Sequence, residues 1–118
     1  NETHKILNDE TIEVSPTCVR VSTFRAHAES IHLELKTKVE LNKVRQVLAD
    51  FPGVQVEDNI EQNRFPMPLE VSGKDDVYVG RIRTDYKDAA GKTLQLFVVG
   101  DQLLKGAALN AVQIAELL

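Results

Sequence analysis

Scarcity is the first feature of this 118-residue sequence. Its single cysteine, Cys18, excludes an intramolecular disulfide framework, and its three histidines, His4, His27 and His32, show no CxxC or HxxxH spacing, so metal binding is not expected. Basic residues are not in excess: 14 Lys and Arg against 18 Asp and Glu leave a net charge of −4, with the two signs interspersed. Nucleic acid is therefore not an expected partner. No apolar run approaches the roughly 20 residues of a membrane span, and no charged-then-apolar leader opens the sequence. A soluble domain located in the cytoplasm, without a membrane partner, is expected.

What remains is an ordinary globular composition with enough apolar residues for one core. Residues 1–7 begin at Asn1 rather than Met and read as the last turns of a helix already under way. The chain is thus expected to be a piece of something longer; a processed terminus is the alternative. Residues 11–23 are dominated by Thr11, Ile12, Val14, Thr17, Val19 and Val21, which predicts a long strand with an edge or bulge at Pro16. Ile31, Leu33 and Leu35 alternate with His32, Glu34 and Lys36, a second strand. Over residues 39–48, Leu41, Val44, Val47 and Leu48 form a helical stripe that Pro52-Gly53 ends.

A short strand is predicted over residues 54–56, and a surface loop over residues 57–68. Residues 76–83 read as a strand with Val77, Val79 and Arg81 on one face, followed by a turn at residues 88–92 and a strand over 93–99, together a hairpin. The last helix, residues 103–118, carries apolar side chains on more than one face, so burial on several sides is expected. It either lies deep in this domain's core or is covered by something else. The order implies an α+β domain: a mixed, mostly antiparallel sheet with helices on one face.

Few residues suggest chemistry. Arg20, flanked by Cys18, Val19 and Val21, needs an anion if buried; a bidentate clamp on a substrate carboxylate and an internal ion pair are both open readings. His27 carries an imidazole, a side chain suited to proton transfer, although a lone histidine is also common as a structural residue; Glu29 could orient it. Cys18, alternating with apolar neighbours, reads as a small buried hydrophobe rather than as a nucleophile paired with His27. Gly73-Lys74 lacks the earlier glycine of a phosphate loop and reads as a turn.

Taken together, Val14-Ser15, Thr17-Cys18-Val19-Arg20-Val21, His27-Ala28-Glu29-Ser30, Gly73-Lys74-Asp75, Val79-Gly80-Arg81-Ile82-Arg83 and the tail from Lys105 to Leu118 resemble aspartate-semialdehyde dehydrogenases over nearly the whole chain. The resemblance implies a C-terminal substrate-binding and dimerisation domain, residues 1–118, like that of the glyceraldehyde-3-phosphate dehydrogenase-like fold. The implied enzyme is a homodimer that reduces aspartyl phosphate to aspartate semialdehyde with NADPH and releases phosphate, on the branch leading to lysine, threonine and methionine. By position, Arg20 resembles the arginine that binds the substrate carboxylate, His27 the general acid/base, and Asn110 an asparagine near the nicotinamide end of NADP. The family's cysteine nucleophile and Gly-rich nucleotide-binding turn have no counterpart here. They belong to an N-terminal nucleotide-binding domain, onto which residues 103–118 are expected to pack, and the chain alone is expected to be inert. The competing readings are a dimerisation module of a relative that has lost the chemistry, and an unrelated α+β domain for a small anion.

Overall fold

The computed structural model describes residues 2–118; Asn1 lies outside the described residues. Helix α1 spans Glu2–Leu7. It is followed by β1 (His27–Glu34), α2 (Leu41–Asp50), β2 (Val54–Val56), the single turn α3 (Pro68–Val71), β3 (Val77–Arg83) and β4 (Thr93–Gly100). The described chain ends in a π-helical stretch, Leu104–Ala108, that runs into α4 (Leu109–Ala115). Among the described residues no helix is long and apolar enough to cross a membrane.

The strands form a sheet in the order β1-β4-β3-β2. β4 is antiparallel to both β1 and β3, whereas β2 runs parallel to β3. This is the expected α+β architecture with a mostly antiparallel sheet. Helix α2 covers one face: Leu41, Val44 and Leu48 pack with Val54, Val56, Val79, Ile82 and Leu94. Its backbone ends where Phe51 N–H returns to Leu48 O, and Gly53 at φ 76° then redirects the chain into β2. Val47, the remaining member of the predicted stripe, is 57% exposed, because α2 overlies only the β2 and β3 side of the sheet. On the opposite face Val71 of α3 packs with Ala26 and Val99, flanked by Tyr78 and Phe97. Full burial of side chains such as Val71, Val99 and Ile82 contributes roughly 1.5–3 kcal/mol each.

Several expectations change on contact with the fold. Residues 11–23 form no strand; they are exposed and lack a ladder partner among the described residues. β-branched residues supply a preference for the pleated conformation, but the hydrogen bonds of a strand require a neighbour. Arg81 does not share a face with Val77 and Val79. The register slips by one residue between Gly80 and Arg83, Arg81 adopts φ 53°, and Ile82 turns inward in its place, the pattern of a β-bulge. Residues 57–68 are not uniformly a surface loop either. Pro66 is fully buried, and Asp58 is held by Arg45 at 2.7 Å, with the Ile82 N–H 3.3 Å from its other oxygen.

The chain keeps more surface than its size requires. It exposes 9336 Å², where a compact monomer of 13.2 kDa exposes roughly 6400 Å². Its radius of gyration is 15.3 Å, against about 13.5 Å for a compact chain of this length. Three of the places where apolar side chains are exposed bear on the site and its assembly. Val19, Val21 and Phe24 project from the irregular segment, Leu33 and Leu35 lie along and just beyond β1, and Val112 and Ile114 stand on α4 with Leu117 just beyond it. The last helix therefore does not lie deep in this domain's core.

Candidate functional site

His27 is the first residue of β1 and pairs with Gly100, and Glu29 pairs with Val98. Because strand side chains alternate, the two lie on one face. They border a cleft of about 290 Å³ whose other walls are Val77 and Val98 from the sheet and Asp101, Gln102, Lys105 and Gly106 from the chain after β4. Among the described residues neither the His27 ring nor the Glu29 carboxylate makes a hydrogen bond, so both are available to a ligand and Glu29 does not orient the imidazole here. Lys105 Nζ donates to Gln113 Oε1 at 2.6 Å. An imidazole and a carboxylate thus border one small volume together with Lys105, whose ammonium is engaged by Gln113, a set able to move a proton at a bound ligand.

The floor of the cleft is held by a group that sequence reading passed over. Asp101 is fully buried, accepts the Gly73 N–H at 2.7 Å and the Leu103 N–H at 2.9 Å, and lies 2.7 Å from Arg25 Nε. Burial alone would push its carboxyl up. The Gly73 and Leu103 N–H groups and the Arg25 guanidinium outweigh it and hold the carboxyl below the usual carboxylate range. A group whose folded pKa is depressed stabilises the fold above its unfolded pKa, about 3.9, and that contribution is lost as pH falls through the folded value. The urea midpoint of the parent chain should therefore drop more steeply than that of Asp101→Asn between about pH 5 and about pH 3, with the two curves converging. Parallel curves would contradict this assignment.

The other residues named from sequence lie elsewhere. Arg20 is exposed, has no hydrogen bond or ion pair among the described residues, and is absent from the walls of the cleft. The premise that it is buried does not hold, since the segment carrying it packs on nothing that would cover it. Cys18 is likewise exposed rather than a buried hydrophobe. Asn110, on α4, is exposed and also outside the cleft. Gly73-Lys74 is a turn, as predicted: Gly73 has φ 82°, its N–H is taken by Asp101, and Lys74 Nζ sits 4.7 Å from the centre of the Tyr78 ring. A second concavity of about 300 Å³ between residues 58–65 and the end of β3 contains none of Arg20, His27 and Asn110.

Lys105, Gln102, Asp101 and Arg25 were not identified as site residues. The available signal was the charged pair Arg25 and Asp101, each beside a predicted strand boundary. Nothing in local spacing links positions 76 residues apart.

Comparison with known proteins gives this geometry a context. The chain is 50% identical over 118 residues to aspartate-semialdehyde dehydrogenase from Prochlorococcus marinus, covering all of this chain and 34% of that protein. It is 50% identical over 117 residues to the enzyme of the same name from Aquifex aeolicus, covering 99% and 34%. Among solved structures, aspartate semialdehyde dehydrogenase II from Vibrio cholerae, complexed with ASA, superposes with a TM-score of 0.88 at 43% identity, over 98% of this chain and 33% of that one. The Francisella tularensis enzyme does so with a TM-score of 0.80 at 33% identity, over 95% and 33%. The chain thus spans about a third of the length of the relatives it matches. Residues 1–105 match the family described as semialdehyde dehydrogenase, dimerisation domain, and the chain belongs to that family.

Proposed function

We propose that this chain is the substrate-binding and dimerisation part of an NADP-dependent aspartate-semialdehyde dehydrogenase, which interconverts aspartyl phosphate and aspartate semialdehyde in lysine, threonine and methionine biosynthesis. The observation that carries the reading is the cleft that holds His27 beside Glu29 and Lys105, in a domain 43% identical to one solved with ASA. His27 is the general acid/base. Its free ring nitrogen takes the proton of a cysteine thiol supplied by the nucleotide-binding domain, which lies outside this chain, and returns a proton to the carbonyl oxygen as that carbon is reduced. Bound NADP supplies or accepts the hydride. This chain's contact with that cofactor is Asn110, whose exposed carboxamide makes no hydrogen bond among the described residues and offers the donor and acceptor that a nicotinamide amide requires.

Arg20 binds the substrate carboxylate. Its exposure and lack of a partner support this reading over the internal ion pair, and the segment bearing it takes up its working position when the rest of the enzyme supplies a neighbouring strand. The same assembly covers the excess apolar surface: α4 packs on the nucleotide-binding domain, and a second copy completes a cytoplasmic homodimer. Arg20→Leu in the intact enzyme is expected to raise the KM for aspartate semialdehyde by about 10- to 100-fold, the equivalent of a charge-assisted pair. NADP affinity should be unchanged. A matching loss of NADP affinity would remove the clamp role.

A further inference from the structure

His27 stands where an irregular segment becomes a strand, and the two residues before it are fastened to the corner after β4. The β1–β4 backbone ladder ends at the His27–Gly100 pair. Beyond it the ladder register is not kept, and side chains tie the two segments instead: Arg25 Nε lies 2.7 Å from Asp101 Oδ2, and Ala26 N–H donates to Gln102 Oε1 at 2.9 Å. Ala26 has φ 72°, a left-handed conformation that residues other than glycine rarely adopt. Its methyl group is buried against Val71 and Val99. Packing thus fixes the side chain while one hydrogen bond fixes the amide. A residue held in an uncommon conformation beside a cleft determines where the next side chain points, because relaxation of φ at 26 rotates the start of the strand.

We propose that Gln102 is a positioning residue for His27: by accepting the Ala26 N–H it holds the left-handed turn that presents the imidazole to the cleft beside Glu29 and Lys105. This rests on the reading of His27 as the proton carrier. The acceptor is itself well anchored, since its neighbour Asp101 is tied to Gly73, Leu103 and Arg25. Gln102 borders the cleft, but its oxygen is engaged by Ala26, so it acts through the backbone rather than on the substrate.

The test is made in the intact dehydrogenase with Gln102→Met, which keeps the length and loses the acceptor, Gln102→Glu, which keeps an acceptor, and His27→Asn as the reference. Gln102→Met is expected to lower kcat by about 10- to 100-fold with little change in KM or melting temperature, the size of effect that a misplacement near 1 Å produces. It should also shift the pH profile of kcat, and Gln102→Glu should restore most of the rate. If the Met variant does not fold, Gln102→Asn, whose oxygen is withdrawn by one methylene, is expected to show the same loss. A large loss in His27→Asn with full activity in the Gln102 variants would overturn the positioning role alone. A loss that follows melting temperature and is not restored by Glu would overturn it as merely structural. Full activity in His27→Asn would remove the acid/base reading and this inference with it.

Discussion

Replacing His27 with Asn in the intact enzyme is expected to lower kcat by about 10²- to 10⁴-fold, the usual contribution of a positioned acid/base group. The fold gives little reason for any other effect. His27 is exposed, makes no hydrogen bond among the described residues, and borders the cleft from the end of a strand whose ladder depends on backbone atoms. Its removal should therefore change stability by no more than about 0.5 kcal/mol. The loss should appear in kcat and in the pH profile of kcat/KM, with the acidic limb flattened and the melting temperature unchanged. A variant that keeps the parent's rate would place the proton carrier elsewhere, and Glu29 and Lys105 would be the next residues to replace.

Gly80→Ala is expected to have the largest effect on stability. Gly80 is buried in β3 opposite Phe97, and a methyl group there would overlap the Glu57 carbonyl oxygen and come within 2.5 Å of Pro66 Cδ. Neither neighbour can yield cheaply. Glu57 N–H is tied to Val79 O at 2.9 Å, and Pro66 is fully buried. Forcing the strand and the loop apart should cost about 3 kcal/mol or more, the upper part of the overpacking range. For a domain of this size the melting temperature should fall by roughly 10 °C or more. Gly73→Ala makes the useful contrast: nothing lies within 4 Å of its added methyl group, and only φ 82° opposes it, so a loss of roughly 1 kcal/mol is expected. If Gly80→Ala melted like the parent, residues 57–66 would not pack on β3 as described.

These contrasts show which parts of the fold can be read locally. Alternation in residues 31–35 and the stripe of Leu41, Val44 and Leu48 are local periodicities, and β1 and α2 form over them. The turn after α2 and the β3–β4 hairpin follow from Pro52-Gly53 and from Asp88, whose carboxylate accepts the Thr93 N–H at 2.6 Å. The bulge at Arg81 was not legible. Val77, Val79 and Arg81 keep strict alternation, and only packing with Val79 and Leu94 under α2 selects Ile82 as the inward residue. Residues 11–23 fail differently: their composition favours a strand, but pairing is a property of two segments.

The site divides along the same line. His27 could be named because its ring chemistry is visible in a single residue and the flanking motif resembles a family. The Arg25–Asp101 pair and the Ala26–Gln102 hydrogen bond could not, since both span 76 positions and exist only once β1 lies beside β4. Arg20 and Asn110 remain apart from the cleft in this chain, and the roles proposed for them depend on the surfaces that the family's remaining two-thirds would cover.

The most direct measurement is NADP reduction in the presence of aspartate semialdehyde and phosphate, made in parallel on the 118-residue chain and on the full-length protein that contains it. Turnover by the full-length protein and none by the chain is the predicted result, since the proposed function gives this domain the acid/base and the carboxylate clamp and assigns the nucleophile and the nucleotide site to another domain. Turnover by the chain alone, or its absence from the full-length protein, would contradict the account.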